Sequence, residues 1–275
     1  MDILICVACV TTDAAQLAFG KILGSIDSAG TVTLLHVVPR GGDRTEAQRR
    51  LAEARETLED ESVEMLIREG DPAGEILAQI EEGNHDLAIL GPNEAPGLRR
   101  HILGSVTTRI VRNAPCSVLV AQQARSSLAR ILICSGGGDI ARIVTEAGAR
   151  LAGAVGAQAT LLHIVVPVAS MYTGLDEIEE SLSELLRTDT PIARNLREGA
   201  EILEQHGVSA ELKLRYGVVA DEIVGESLEG DYDLIMLGAK KGLVRFKRLM
   251  LGAMLKQILE KSTRSILVAR QVLTF

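Results

Sequence analysis

The sequence predicts an α/β fold built twice: two tandem domains, each a five-stranded, mainly parallel sheet with helices on both faces. Three observations predict it. Four short blocks recur in the same order in the two halves of the 275 residues. Short, continuous apolar runs alternate with stretches of helical spacing, which is the pattern of βαβ units. The interior must also be aliphatic, since 47% of residues are hydrophobic but only 2% aromatic, with no Trp, and such a composition suits parallel sheets covered on both sides.

The repeat fixes the organisation. ILIC at Ile3–Cys6 recurs at Ile131–Cys134, an offset of 128. LLHVVP at Leu34–Pro39 recurs as LLHIVVP at Leu161–Pro167. DLAILG at Asp86–Gly91 returns as DLIMLG at Asp233–Gly238, an offset of 147, and SVLVA at Ser117–Ala121 as SILVA at Ser265–Ala269, an offset of 148. The second copy therefore carries an insertion of about 20 residues between its second and third blocks. The polar segment Gln122–Leu128 reads as the linker, placing the domains at residues 1–123 and 128–275.

In the first copy, strands are expected near 2–7, 31–38, 62–67, 86–91 and 117–121. Thr12 and Asp13 can cap a helix carrying Leu17, Ile22 and Leu23. Asp71-Pro72 offers an N-cap followed by proline at the first helical position, ahead of Ile76, Leu77 and Ile80 on one face, and Thr190-Pro191 repeats the device in the second copy. The inserted stretch Gly174–Arg187 reads as an acidic amphipathic helix, a solvated lid or packing helix, with a partner contact as the alternative. The last strand of each copy is expected at a sheet edge, where unpaired backbone groups invite another strand. The two copies can then pair as an intramolecular pseudo-dimer, with homodimerisation of whole chains as a further expectation. On this reading each copy has its own sheet, and a single continuous sheet would count against duplication.

Composition narrows the function. A formal net charge of −8 lacks the basic excess of a general nucleic-acid binder. No apolar run approaches the roughly 18 residues needed to span a bilayer, and the chain opens straight into a strand without a basic leader. No nucleic-acid or membrane partner is expected, and the expected address is cytoplasmic. Cys6, Cys9, Cys116 and Cys134 are too scattered for a disulfide framework. Cys6-Val7-Ala8-Cys9 is formally a C-x-x-C, but Cys6 repeats as Cys134 inside a strand and reads as core. His36 and His163 are equivalent positions within apolar strands and read as hydrogen-bonded core residues; His85, His101 and His206 form no metal spacing. With no nucleophile elbow, zinc-protease motif or Walker loop, neither an enzyme nor a metal site is expected.

Five parallel strands in this order make a Rossmann-like or flavodoxin-like sheet. Ligands of such sheets sit beyond the carboxyl ends of the strands where strand order reverses, so the residues to inspect follow strands one and four. After strand four the first copy reads LGPNEAPGLRRHILGSVTTRIVRNAPCSVLVA from Leu90 to Ala121. This resembles the signature of the universal stress protein family: a glycine pair, a nine-residue spacer, then Gly-Ser/Thr opening a helix. REGDPAGEIL at Arg68–Leu77 and LLHVVP are similar to other recurrent segments of that family, and the resemblance covers nearly the whole chain, twice.

The resemblance implies a non-catalytic, stress-linked regulator or sensor with ATP, an adenine nucleotide, as its ligand. Glycine lets the backbone approach a phosphate, and the helix N-terminus that follows holds the anion. Carried over, Gly91, Gly104 and Ser105 match the phosphate segment in copy one, with Val106 counted beside them, and Val37 matches the apolar residue lining the adenine pocket. Glu94 stands where the second glycine is expected and Ala8 where an Asp is expected. In copy two Ile164 is the counterpart of Val37, and Gly238, Gly242 and Gly252 are present, but the first gap is one residue longer, Ala253 replaces Ser/Thr, and Gly136 replaces the Asp.

Copy two carries a loop of another kind. Ser135, Gly136, Gly137, Gly138 and Asp139 follow a strand and precede a helix, the setting for a phosphate-binding nest. The segment also resembles the SGGxDS loop of PP-loop ATP pyrophosphatases, with Ile140 in place of the final Ser. Lys240, Lys241, Arg245, Lys247 and Arg248, after strand four of the same copy, are candidates for neutralising a phosphate. A flexible turn is the plainer reading of the glycines. Two alternatives therefore stand beside the stress-protein reading: a PP-loop-like ATP-using enzyme acting through Ser135–Asp139, and a structural interaction module with empty pockets.

Overall fold

The computed structural model describes residues 1–7, 13–27, 29–60, 62–92, 104–166, 181–239 and 245–273, with only the backbone described over 245–252. The first half runs β1 (Ile3–Cys6), α1 (Ala14–Gly24), β2 (Val32–Val38), α2 (Arg44–Leu58), β3 (Glu64–Glu69), α3 (Pro72–Glu82), β4 (Leu87–Leu90), α4 (Ser105–Asn113) and β5 (Ser117–Val120). The second half repeats the order as β6 (Arg130–Ser135), α5 (Gly138–Val155), β7 (Gln158–Val165), α6 (Leu182–Leu185), α7 (Pro191–Gln205), β8 (Ala210–Tyr216), α8 (Val219–Glu229), β9 (Leu234–Gly238), α9 (Arg245–Lys261) and β10 (Ser265–Ala269). The short helix α6 belongs to the insertion. The first half of the acidic helix expected at Gly174–Arg187, residues 174–180, lies outside the described residues, and over 181–187 only the four residues of α6 are helical.

The helix starts follow their sequence signals. Asp71 accepts the Gly74 amide at 2.9 Å, and Thr190 accepts that of Ala193 at 3.2 Å, each with proline next in the chain. Asp13 stands at the N-cap of α1 but makes no capping bond with its side chain. Its carboxylate instead accepts from Gln16 Nε2 at 2.8 Å.

The two five-stranded units meet through their last strands, as the open edges invited, and the seam makes them continuous. All ten strands form one sheet in the order β3-β2-β1-β4-β5-β10-β9-β6-β7-β8. The continuity does not argue against duplication, because the order is palindromic: each half is 3-2-1-4-5, parallel throughout, and the halves meet only where β5 pairs antiparallel with β10. Leu119 stands opposite Leu267, Val118 opposite Val268 and Val120 opposite Ile266. The last strands are thus edges only of their own halves; pairing places them at the centre, fully buried, and satisfies the backbone groups an edge would leave open. Ser117 Oγ accepts the Arg270 amide at 3.2 Å, and Ser265 Oγ the Gln122 amide at 3.0 Å.

Both faces of the sheet are covered. Residues alternate between faces along each strand, so Ile3, Ile5, Ile131 and Ile133 pack with α1, α2, α5 and α7, whereas Leu4, Leu35, Leu132 and Leu162 belong to the core beneath α3, α4, α8 and α9. The outer strands β3 and β8 carry charges that discourage further pairing, among them Glu64, Arg68, Glu211 and Arg215.

The duplication extends to side-chain networks. Arg68 donates to Glu75 at 2.8 Å, Gln79 at 3.0 Å and Glu82 at 2.7 Å. Arg215 repeats this with Glu222 at 2.7 Å, Glu226 at 2.9 Å and Glu229 at 2.8 Å. The copies diverge one layer further in. Where copy one has Leu66, Gln79 and His85, copy two has Lys213, Glu226 and Tyr232. Lys213 Nζ donates to Glu226 at 2.8 Å, and the Tyr232 hydroxyl lies 2.9 Å from both Glu226 and Thr160.

Candidate functional site

The strand order reverses between β1 and β4 in the first half and between β6 and β9 in the second, so the switch-point crevices fall at the carboxyl ends of these strands. In copy one, Gly91 directly follows β4, and the Gly104 amide donates to the Pro92 carbonyl at 3.2 Å. Gly104 is the N-cap of α4 and Ser105 its first, exposed residue. Thr107 Oγ donates to the Gly91 carbonyl at 3.0 Å, which staples the first turn of α4 to the end of β4. Val37, near the end of β2, and Val106 both pack at the core beneath α3 and α4. The structure thus brings Val37, Gly91, Gly104, Ser105 and Val106 to one end of the sheet. Ala8 and Glu94 lie outside the described residues.

One polar pair was not singled out by sequence reasoning. Asp13 is 1% exposed and Gln16 2%, and a Cβ built at Gly91 would sit 2.5 Å from Gln16 Nε2. Gly91 is therefore required by packing as well as suited to phosphate approach. Gln16 Oε1 is buried with no hydrogen-bond partner among the described residues. The one available signal was a polar residue one turn after the cap on an otherwise apolar face.

Copy two is built differently. Gly238 ends β9, and a Cβ there would strike Ile140 at 2.5 Å. Gly242 lies outside the described residues, as do Lys240 and Lys241. Gly252 falls within α9, which already begins at Arg245, so no Gly-Ala step opens this helix as Gly104-Ser105 opens α4. Arg245, Lys247 and Arg248 also lie in α9 rather than in a loop. Ile164, like Val37, packs at the core shared with the face beneath α8 and α9.

Ser135 is the last residue of β6, Gly137 is the N-cap of α5 and Gly138 its first residue. Gly137 has φ 86° and Gly138 φ 59°, conformations that favour glycine, and open space surrounds the Cβ positions of Gly136 and Gly138. Ser135 Oγ is buried and unpartnered among the described residues.

His36 Nδ1 donates to the Val7 carbonyl at 2.6 Å and His163 Nδ1 to that of Ser135 at 3.0 Å, one interaction made twice. Burial holds both imidazoles below their ordinary pKa. Burial pushes the Cys116 thiol up to about 11 and raises Cys6 and Cys134 further, so none is a thiolate at neutral pH. Among the described residues no three His, Cys, Asp or Glu are grouped to hold a metal, and no helix is long and apolar enough to cross a membrane. A cavity of about 150 Å³ lined by Arg130, Gln158, Thr160 and Glu211 opens at the amino ends of β6–β8, the opposite end of these strands from the crevice of copy two.

Comparison with known proteins follows the same division. The model of the universal stress protein family matches residues 3–122 and again 128–270. Universal stress protein MJ0531 of Methanocaldococcus jannaschii is 38% identical over 84 residues, 29% of this chain and 48% of that protein, so the match spans about half of that relative's length. Universal stress protein YxiE of Bacillus subtilis is 27% identical over 151 residues, 51% of this chain and 98% of that protein. Among solved structures, a functionally unknown protein, PA1789, from Pseudomonas aeruginosa PAO1 superimposes with a TM-score of 0.72 at 19% identity, covering 98% of this chain and 92% of the other.

Proposed function

Because the chain belongs to the universal stress protein family in both of its halves, we propose that it is a non-catalytic regulator of two domains, residues 1–123 and 128–275, that binds an adenine nucleotide, ATP, in the β1/β4 crevice of copy one. The observation that carries this reading is the geometry at the end of β4. Gly91 at the end of β4 and Gly104 lie close together, the Gly104 amide bonding to the Pro92 carbonyl, and the open first turn of a nine-residue helix, α4, follows at Ser105. There the unpaired N–H groups and the positive end of the helix dipole can hold phosphates, while Val37 and Val106 offer an apolar wall to the base. Copy two offers this less well, since Gly252 lies inside its helix. With Ala8 in place of the family's Asp and Glu94 in place of its second glycine, the affinity is weaker than in family members that keep the full motif. The absence of catalysis is supported by histidines whose Nδ1 is held by backbone carbonyls and by thiols that burial keeps protonated. The address that fits such a regulator is the cytoplasm.

The test is equilibrium binding of ATP to the purified chain and to Gly104→Val. Gly104 has φ −59° and ψ 148°, which a branched residue adopts readily, so the substitution blocks phosphate approach without straining the backbone. Saturable binding lost in the variant supports the reading; binding that survives it, or none to the parent chain, overturns it. Pyrophosphate release on incubation with ATP would instead favour an enzyme.

A further inference from the structure

We infer that copy two holds a second, differently built site: a phosphate-binding pocket formed by Ser135, the glycines Gly136–Gly138 and the amino end of α5, with Asn195 at its rim. This inference goes beyond the nucleotide reading of copy one and does not depend on it.

The starting observation is Ser135. It is 6% exposed, and its hydroxyl finds no hydrogen-bond partner among the described residues. A buried hydroxyl without a partner costs about 1–3 kcal/mol, so its retention calls for an explanation. Its direction follows from strand alternation. Ile131 and Ile133 lie in the same core cluster as Val144 and Ala147 of α5, and a Cβ built at Gly148 would meet Ile133 Cδ1 at 2.5 Å. Ser135 is next on that face, at the carboxyl end of β6. Helix α5 starts three residues later and packs back along the strand, so the hydroxyl is directed under the opening turn of the helix.

That turn is unusually accessible. Its donors are backbone N–H groups at the head of an 18-residue helix, whose aligned peptide dipoles place partial positive charge there. Gly137 and Gly138 hold positive φ, which turns the chain sharply from strand to helix and leaves no side chains over the backbone. The Asn195 amide lies nearby from α7, its Nδ2 3.7 Å from where a Cβ at Gly137 would stand. The backbone amides of the turn, the buried hydroxyl at the end of β6 and the carboxamide beside Gly137 together make the kind of neutral donor set that recognises a tetrahedral oxyanion. Asp139 in the same turn brings one opposing charge, which limits affinity.

Copy one shows that the family fold does not require this construction. At the offset of 128, Ser135, Gly136, Gly137 and Gly138 correspond to Val7, Ala8, Cys9 and Val10. The hydroxyl and all three glycines occur only in copy two.

The shared chemistry is a phosphate group, supplied either as free phosphate or as part of a nucleotide. The test follows the thermal midpoint of the intact chain through titrations with inorganic phosphate, pyrophosphate, ATP and adenosine. Ser135→Ala removes an unpartnered hydroxyl and so leaves the ligand-free midpoint unchanged or raised, yet weakens anion binding about tenfold. Gly136→Glu places a carboxylate in space that is open in the folded chain, folds normally, and abolishes anion binding. Saturable stabilisation by phosphate and pyrophosphate that is weakened by the first variant and lost with the second is the expected result. Stabilisation that persists in both variants, or none with any anion, overturns the inference. Stabilisation by ATP alone that vanishes only with Gly104→Val also overturns it while leaving the copy-one reading intact. Phosphate binding that responds to Ser135→Ala, with no ATP effect of Gly104→Val, does the reverse.

Discussion

Ser117 and Ser265 stand at equivalent points of the two copies, and each hydroxyl accepts a backbone amide from the other copy, Arg270 N for Ser117 and Gln122 N for Ser265. Both serines are buried at the centre of the sheet, where β5 meets β10. The antiparallel ladder ends there, and the hydroxyls supply the acceptors that the ladder no longer provides.

Replacing either serine by alanine leaves a half-buried amide without its partner. Each single variant is expected to lose about 1–2 kcal/mol in urea unfolding, and the double variant close to the sum, since the two bonds lie at opposite ends of the seam. Loss of stability below about 0.3 kcal/mol in both single variants would show that the bonds are incidental.

The charge cluster unique to copy two invites a comparison of substitutions. Burial raises the Glu226 pKa, but bonds from Lys213, Arg215 and Tyr232 outweigh it and hold the carboxyl below 4.5. Its stabilisation is therefore present above the unfolded-state pKa and is lost as pH falls through the folded value. Glu226→Ala strands its cationic partners and is expected to cost about 3 kcal/mol. Installing the residues of copy one, Lys213→Leu with Glu226→Gln and Tyr232→His, should cost less than Glu226→Ala alone. Chemical denaturation at neutral pH measures both.

Histidine supplies a second pH dependence at higher pH. Burial keeps His36, His85 and His163 below the ordinary 6.5. As pH falls below 6.5 the unfolded chain takes up protons that the folded chain still refuses, so stability declines until the folded-state values are passed. Urea midpoints recorded between about pH 5 and 8 should show this decline, and His36→Gln with His163→Gln should flatten it. A parent curve that is level over this range would contradict the prediction.

Gly91 serves two purposes that can be separated. A Cβ there meets Gln16 Nε2, so Gly91→Ala is expected to cost about 1–3 kcal/mol, and adding Gln16→Ala should recover much of that loss by vacating the space. Nucleotide affinity should stay reduced in the stability-rescued double variant if the glycine also admits phosphate.

Sequence reasoning reached the fold closely, because the evidence for it is redundant. Strands expected near 31–38 and 117–121 are found at Val32–Val38 and Ser117–Val120, and both proline-marked caps make their bonds. The offsets between repeated blocks predicted which residues would be structural twins, and His36 and His163 bear this out atom by atom. The pairing of the two last strands was legible, because each reads as an open edge; what was misjudged is the meaning of the continuous sheet it creates, since strand order and not continuity records the repeat. The candidate site was harder to read. Gln16 resembles any polar residue on a helix, and its closeness to Gly91 arises only when β1 and β4 become neighbours. Gly252 fits the family's nine-residue spacer after Gly242, but such spacing does not set where a helix starts, and α9 already begins at Arg245.

The antiparallel meeting of β5 and β10 also fixes a matter of direction. Every strand of one half runs against every strand of the other, so the mouths of the two halves look out from opposite rims of the molecule. No single small molecule can bridge them, and whatever settles in one mouth cannot touch an occupant of the other. If the two are to influence each other, the message must cross the middle of the sheet, through the three residue pairs from Val118 to Val120 and the serines that close them.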